Sequence, residues 1–284
     1  MIPRRQLLLA AAALPAAGCS ALDLANGLTP AGAAALQQGI PYAPGERGRY
    51  DLYTPEGAGP SAPLIVFFYG GGWTSGSRAD YGFVARPLAS LGALVAVPDY
   101  RLFPEARWPL FVEDGAAAVQ VILAGPGRGR PVILMGHSAG AFIALALALD
   151  PRWLGPARER LAGAIGLAGP YEFGPEDDPR GIFANAPGGR ARAAPADTRL
   201  SGGAPPLLLL QGEADETVRP AQATRLSSLA REQRISVETC LYPGVGHIGI
   251  IAALASPVRT LGLEGAPVLE DTRGWLARLS PDRA

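Results

Sequence analysis

The residues that could carry out chemistry in this sequence begin with a serine between two glycines. Residues 136–140 read Gly-His-Ser-Ala-Gly, a G-x-S-x-G spacing that places a serine hydroxyl on a sharp turn between a strand and a helix. An apolar run at 131–135 precedes the motif, and an apolar helical pattern at 139–149 follows it. The pattern predicts that Ser138 is a nucleophile at a helix N-terminus, where developing negative charge is favoured.

A serine hydroxyl becomes a strong nucleophile only when a base takes its proton. His247 follows the predicted strand at 235–242, and Asp215 follows the predicted strand at 207–210. Side chains at these places project from the same edge of a parallel sheet as Ser138. We therefore predict His247 as the general base and then the general acid, with Asp215 holding the imidazole in the correct tautomer.

Other residues compete for these two roles. His137 is the only other histidine in the chain, and its place inside the serine motif should turn its side chain away from the hydroxyl. We expect it to line the pocket or to satisfy the core. Glu213, Glu216 and Asp197 compete with Asp215, which fits best by its offset from the preceding strand. Asp is also common in turns, which is the structural alternative for Asp215.

A run of three glycines follows the apolar segment at 64–68, in the stretch Tyr-Gly-Gly-Gly-Trp at 69–73. Consecutive glycines let backbone N–H groups approach a substrate oxygen closely. Ester hydrolysis passes through a tetrahedral oxyanion that such donors stabilise. We predict that the N–H groups of Gly71, Gly72 and Ala139 form an oxyanion hole; a merely flexible glycine loop is the alternative.

Further residues near these motifs are candidates for supporting roles. Asp99 follows the apolar run at 93–98 and could pair with Arg101 or accept from backbone donors, and we expect it to support the glycine loop structurally. The candidate substrate-contacting side chains are aromatic, and ordinary core packing is the alternative for each: Trp73, Phe142, Tyr171 and Phe173.

The elements that must position these residues alternate between strands and helices. Apolar runs at 64–69, 93–98, 131–135, 164–168 and 207–211 alternate with helical patterns, which predicts an α/β fold with a doubly wound, mostly parallel sheet covered by helices on both faces. The segment at about 169–204 interrupts this alternation and is rich in Pro, Gly and charge. Because an insertion after a strand's carboxyl end lies over the ligand crevice, we predict a short lid there.

Composition limits the partners of the chain. Of its 284 residues, 25 are Lys or Arg and 25 are Asp or Glu, so the formal net charge is zero, which argues against a nucleic-acid partner. The two cysteines, Cys19 and Cys240, do not support a disulfide framework. No Cys/His cluster has the spacing of metal ligands, so we expect no metal. The oligomeric state is left open.

The first residues resemble a targeting signal. Two arginines precede a short apolar stretch, and small residues then lead to Cys19, as in a bacterial lipoprotein signal that ends in a lipidated cysteine. Ordinary secretion is the alternative. We expect a signal peptide at 1–18, a tether and leading segment at 19–48, and one hydrolase domain at 49–284. The protein would be exported to the cell envelope and anchored to the membrane through lipid, or else be periplasmic or secreted.

Taken together, the glycine triplet, the stretch Asp-Tyr-Arg-Leu-Phe-Pro-Glu at 99–105, the serine motif, Asp215 and His247 resemble the carboxylesterase/lipase branch of the α/β hydrolases. They are similar to hormone-sensitive-lipase-like bacterial esterases and to kynurenine-formamidase-like hydrolases. The resemblance implies a cofactor-free esterase for small esters of short or medium acyl chains. An amidase or arylformamidase with the same residues is an alternative, and a non-catalytic envelope lipoprotein is another. One departure concerns Tyr69, because the family usually has His before the triplet.

Overall fold

The apolar runs form the central sheet in the computed structural model, which describes residues 21–30, 32, 34–172, 178, 180–186, 200 and 203–279. In the described ranges the strands are β1 (Ala35–Pro41), β2 (Arg49–Thr54), β3 (Leu64–Phe68), β4 (Leu94–Pro98), β5 (Val132–His137), β6 (Leu161–Leu167), β7 (Leu207–Gly212) and β8 (Val237–Tyr242). Their order across the sheet is β1-β2-β4-β3-β5-β6-β7-β8. β2 pairs antiparallel with both of its neighbours, β1 and β4, and the remaining pairings are parallel.

In the described ranges every helix except the first follows one of the parallel strands along the chain, as the alternating pattern predicts. The helices are α1 (Ala21–Leu28), α2 (Gly82–Ala89), α3 (Leu110–Ala124), α4 (Ala139–Leu149), α5 (Pro151–Leu154), α6 (Ala221–Glu232), α7 (His247–Ala252), α8 (Ser256–Thr260) and α9 (Val268–Leu279). Every residue of β3, β4, β5 and β7 is buried, because helices cover both faces of the parallel part of the sheet. The prediction of a doubly wound, mostly parallel α/β sheet is confirmed.

The helix that follows the serine motif is the most deeply placed in the fold. All 11 residues of α4 are buried, and the helix packs on β3, β5 and β6 and against α3. A helix that is apolar on all sides is stable only inside a large core. This burial holds the N-terminus of α4, and Ser138 beside it, against the carboxyl ends of the central strands.

The domain begins earlier than the sequence indicates. The segment at 19–48 was expected to be a tether and leading segment, yet it contains α1 and the edge strand β1. β1 pairs with β2, and α1 packs on α2. Most side chains of β1 are exposed, so this strand lacks the apolar alternation by which strands are recognised.

The described part of the predicted lid packs over the carboxyl edge of the sheet. The Asp178 carboxylate accepts hydrogen bonds from the N–H groups of Ile182, at 2.7 Å, and Phe183, at 2.8 Å. The Trp108 N–H donates to the Ile182 carbonyl at 2.9 Å, which places this segment beside the start of α3. The remainder of the lid, together with the predicted signal peptide at 1–18, lies outside the described residues.

Candidate active site

Ser138 occupies a strained turn at the junction of β5 and α4. Its backbone has φ 53° and ψ −122°, a combination that costs energy for a residue with a side chain. The Ser138 N–H donates to the Leu167 carbonyl at 2.9 Å and its carbonyl accepts from the Phe142 N–H at 3.1 Å. The turn is thus held by β6 on one side and by the first turn of α4 on the other.

The two glycines of the motif are required by close backbone packing. A Cβ atom on Gly136 would lie 2.3 Å from the Gly140 carbonyl, and one on Gly140 would lie 2.1 Å from the Phe68 carbonyl oxygen. Real Cβ atoms do not approach so closely, so no larger residue fits either position without moving the backbone. This contact also brings the end of β3, where the glycine loop begins, against the start of α4.

The structure brings together the three side chains that the sequence predicts to form the site. The His247 Nε2 atom lies 3.0 Å from the Ser138 Oγ atom, and His247 Nδ1 lies 2.8 Å from Asp215 Oδ2. Because a carboxylate only accepts hydrogen bonds, the neutral imidazole carries its proton on Nδ1. Nε2 is then free of a proton and accepts from the Ser138 hydroxyl, as a base for that hydroxyl must.

Asp215 is oriented by donors on each of its oxygens. Its Oδ1 atom accepts from the N–H groups of Thr217, at 2.9 Å, and Val218, at 2.8 Å. Its Oδ2 atom accepts from the amide of Gln211 at 3.1 Å as well as from His247. Asp215 is buried, with 3% of its surface exposed, so these donors replace the water that a carboxylate would otherwise keep.

The two rival carboxylates in the described residues do not reach this position. Glu213 and Glu216 are exposed on either side of Asp215, while Asp197 lies outside the described residues. The turn that carries Asp215 is joined to the loop before His247, since the Ala214 N–H donates to the Val245 carbonyl at 3.0 Å.

The glycine loop after β3 lies beside the serine. Gly71 has φ 121° and Gly72 has φ 58°, values that favour glycine because it lacks a Cβ atom. A Cβ atom on Gly70 would lie 3.2 Å from the Ser138 Cβ atom, so the loop touches the nucleophile. The backbone N–H groups of Gly71, Gly72 and Ala139 donate to no other backbone group within the described part of the chain.

Comparison with known proteins identifies chains similar to this one. A family model described as the alpha/beta hydrolase fold matches residues 65–181. The kynurenine formamidase of Danio rerio is 31% identical over 48% of this chain and 46% of its own length. Esterase LipC of Mycobacterium tuberculosis is 28% identical over 66% of this chain and 53% of its own. The chain thus spans about half the length of these curated relatives.

Solved structures show the same fold over nearly the whole chain. A truncated carbohydrate esterase from gut microbiota superposes with a TM-score of 0.73 at 16% identity, covering 88% of this chain and 98% of that one. The chain therefore has the alpha/beta hydrolase fold. Ser138, Asp215 and His247 lie at the carboxyl edge of the parallel strands, which is the edge at which ligands bind in open α/β sheets.

Tyr69, the residue before the glycine triplet, links the glycine loop to charged side chains. Tyr69 donates its hydroxyl to Asp99 Oδ1 at 2.9 Å and accepts from the Arg47 guanidinium at 3.1 Å. Burial raises the pKa of the Tyr69 hydroxyl well above its ordinary value, so it stays a donor. Arg47 also donates to the Gly76 carbonyl at 3.1 Å, which fixes the far end of the glycine loop.

Of the two alternatives for Asp99, acceptance from a backbone donor is observed and pairing with Arg101 is not. The Asp99 carboxylate pairs with the Arg78 side chain and accepts from the Arg78 N–H at 2.7 Å. Arg101 instead pairs with Asp114 at 2.6 Å. Arg78 follows the glycine loop along the chain, so its pairing with Asp99 holds the carboxyl-terminal end of that loop in place.

The candidate substrate-contacting aromatics lie in the core beside the site. Trp73 is 8% exposed, Phe142 0% and Tyr171 1%. The rings of Trp73 and Phe142 are 5.5 Å apart, and Phe183, from the segment predicted as a lid, lies 5.0 Å from Trp73 and 5.4 Å from Phe142. These rings therefore pack on one another, and Phe173 lies outside the described residues.

Two residues that hold the site in place, Gln211 and Arg47, could not be predicted from a local sequence pattern. Gln211 lies inside β7 and donates to Asp215, but a glutamine in an apolar strand is noticed only once its partner is known. Arg47 acts on a loop that lies 22 residues beyond it. Over the described residues, no group of three or more His, Cys, Asp or Glu is arranged to hold a metal ion, and no helix has the length and apolar character needed to span a membrane.

Proposed function

We propose that the protein is a serine hydrolase that cleaves carboxylic esters of short or medium acyl chains, with Ser138 as nucleophile. The observation that carries this proposal is the continuous hydrogen-bonded path from the Ser138 hydroxyl through His247 to Asp215, at 3.0 and 2.8 Å. The path begins at a residue with φ 53°, a strain that a buried structural serine would not need.

Acylation is the first half of the proposed reaction. His247 Nε2 takes the Ser138 proton as Oγ attacks the ester carbonyl carbon, and the carbonyl oxygen becomes an oxyanion. The N–H groups of Gly71, Gly72 and Ala139 donate to it; a preorganised donor of this kind contributes about 3 kcal/mol. The imidazolium then protonates the leaving alcohol oxygen, the C–O bond breaks, and the acyl group stays on Ser138.

Deacylation repeats these steps with water as the nucleophile. His247 takes a proton from water while the water oxygen attacks the acyl carbon, and the same donors stabilise the second oxyanion. The imidazolium returns the proton to Ser138 Oγ as the carboxylic acid leaves. Throughout both halves, Asp215 stays ionised and stabilises the positive charge on His247.

The packing beside the nucleophile favours the shorter acyl chains. Phe142 lies one turn after Ser138 along α4, and its ring is fully buried against Trp73 and Phe183. Three large rings already fill the space on that side of the serine. A long acyl chain would have to displace them at the cost of their buried apolar area.

A second candidate reaction is hydrolysis of an aryl formamide. It is favoured by the similarity to a kynurenine formamidase, at 31% identity over 137 residues, a region containing about half of this chain. The path from Ser138 to Asp215 serves either reaction, because both pass through a tetrahedral oxyanion and an acyl-enzyme. The leaving group, an amine or an alcohol, distinguishes them.

The experiment is a substrate panel on the purified full chain and its Ser138→Ala form. The panel holds p-nitrophenyl esters from acetate to palmitate together with an aryl formamide. We expect turnover that is highest on short esters and absent in the variant. Preference for the formamide would favour the second candidate. If neither substrate class reacts and a fluorophosphonate probe does not label Ser138, the proposed function is wrong.

A further inference from the structure

The second histidine of the chain lies against the first. His137 is the last residue of β5, directly before Ser138, and it is 3% exposed. Its Nε2 atom lies 3.1 Å from the backbone carbonyl oxygen of His247, and the two imidazole rings are 4.9 Å apart at an angle of 37°. The sequence predicts a pocket or core residue here; the structure shows one that contacts the base itself.

The hydrogen bond fixes the tautomer of His137. A carbonyl oxygen only accepts hydrogen bonds, so Nε2 must carry the proton and Nδ1 must lack one in the neutral ring. Burial, together with the nearby His247, lowers the pKa of His137 from 6.5 to about 3. The ring is therefore a neutral donor to His247 over the pH range in which a histidine base works.

The other side of the same ring meets the glycine loop. A Cβ atom on Gly70 would lie 2.9 Å from His137 Nδ1, so the ring packs directly on the first glycine of the triplet. The glycine loop and His247, at the start of α7, thus both contact the His137 ring. His137 is also bonded directly to Ser138 along the chain. A shift of its ring would therefore disturb the glycine loop, Ser138 and His247 together.

We infer that His137 is a positioning residue that sets the orientation of His247 toward Ser138; this rests on the proposed function. His247 is the first residue of α7 and its carbonyl is held by His137. Fixing that peptide group limits the rotation of the His247 side chain, which must keep Nε2 3.0 Å from the Ser138 hydroxyl. A neutral neighbour can do this without opposing the positive charge that His247 gains during the reaction.

Simple core packing is the competing explanation, and two variants separate it from positioning. His137→Phe keeps an aromatic ring of similar shape but has no donor for the His247 carbonyl. His137→Gln has an amide nitrogen near the position of Nε2 and can donate to that carbonyl. His137→Asn is as polar as Gln but shorter, and it serves as the comparison if the Phe variant does not fold.

The test measures kcat, KM and the pH profile of kcat/KM for p-nitrophenyl acetate with the full chain, and the melting temperature of each variant. We expect His137→Phe to lower kcat about 10- to 100-fold, the loss typical of a displaced catalytic group, with KM little changed and the acid limb of the profile moved. His137→Gln should recover most of the loss, and His137→Asn should not.

Two results would overturn the inference. One is a His137→Phe or His137→Asn enzyme with the kcat and pH profile of the unaltered protein. The other is a His137→Gln enzyme as slow as the Phe variant, since packing alone would then explain both. Failure of the proposed function looks different, because the unaltered chain would then turn over no ester, or Ser138→Ala would turn over the ester equally well.

Discussion

The two sides of Ser138 are held in place by different kinds of interaction. On the glycine-loop side, the buried carboxylate of Asp99 receives the Arg78 side chain and the Tyr69 hydroxyl. On the base side, Asp215 receives backbone N–H groups and the neutral amide of Gln211. The glycine loop thus depends on a buried carboxylate paired with a partly buried arginine, whereas the base side depends on neutral donors.

The difference follows from what each side must do. His247 gains and loses a positive charge in the proposed reaction, and a second fixed charge beside it would bias that equilibrium. One carboxylate, Asp215, is sufficient there, and its other partners are neutral. In the proposed reaction the glycine loop presents only N–H dipoles to the substrate, so the charged side chains that support it do not disturb proton transfer.

The largest effect is expected from neutralising the one charge on the base side. In Asp215→Asn, the amide oxygen can still accept from Thr217 and Val218, but the amide nitrogen would face His247 Nδ1 and Gln211 as a donor. His247 would then adopt the wrong tautomer, and we expect kcat to fall about 10⁴-fold. Steady-state kinetics on a short p-nitrophenyl ester, with circular dichroism to confirm folding, measures this.

The matched control for this prediction is Glu213→Gln, an exposed carboxylate two residues away. It should retain the activity of the unaltered protein. A folded Asp215→Asn enzyme within tenfold of that activity would mean that Asp215 does not orient the base.

The next effect compares two adjacent glycines of the loop. A Cβ atom on Gly71 would lie 2.2 Å from the Ser75 carbonyl oxygen, whereas one on Gly72 would meet only Thr74 Oγ1 at 4.0 Å. Gly71→Ala must therefore move the loop, and we expect a loss of kcat of about 100-fold, as for a displacement of about 1 Å. Gly72→Ala has only the backbone cost of φ 58°, about 1–2 kcal/mol of stability.

These two variants are compared by kcat on the same ester and by melting temperature. Equal kcat in both would show that the loop tolerates displacement and that its N–H groups are not aimed at a developing charge.

The sequence predicts the parts of the fold and site whose cause is local. The central strands are continuous apolar runs. The turn at Ser138 is recognisable from Gly136 and Gly140, which close backbone packing requires. The placement of Asp215 and His247 near Ser138 is also predictable, because the carboxyl ends of parallel strands meet at one edge of the sheet. Each of these inferences needs only a short stretch of chain and the geometry of a parallel sheet.

The rest depends on partners that are distant along the chain. β1 has mostly exposed side chains, so its backbone pairing with β2 has no apolar signature. Asp99 pairs with Arg78 rather than with the nearby Arg101, because the chain turns the side chain of Arg101 toward Asp114. The contact of His137 with His247 joins residues 110 apart, and no local pattern encodes it.

The smallest effect tests whether the charges under the glycine loop are structural. Asp99→Asn leaves the partly buried Arg78 with Asp51 as its remaining carboxylate partner and weakens the acceptor for Tyr69; losing hydrogen bonds to a charged group in this way costs about 2 kcal/mol of unfolding free energy. Glu238→Gln breaks the exposed pair with Arg278, whose side chains are 49% and 58% exposed, and should cost less than about 1 kcal/mol. Urea unfolding of both variants measures the difference. Because Asp99 touches no reacting atom, the Asn variant should keep its KM, and a stability equal to that of Glu238→Gln would show that buried charge does not hold this side of the site.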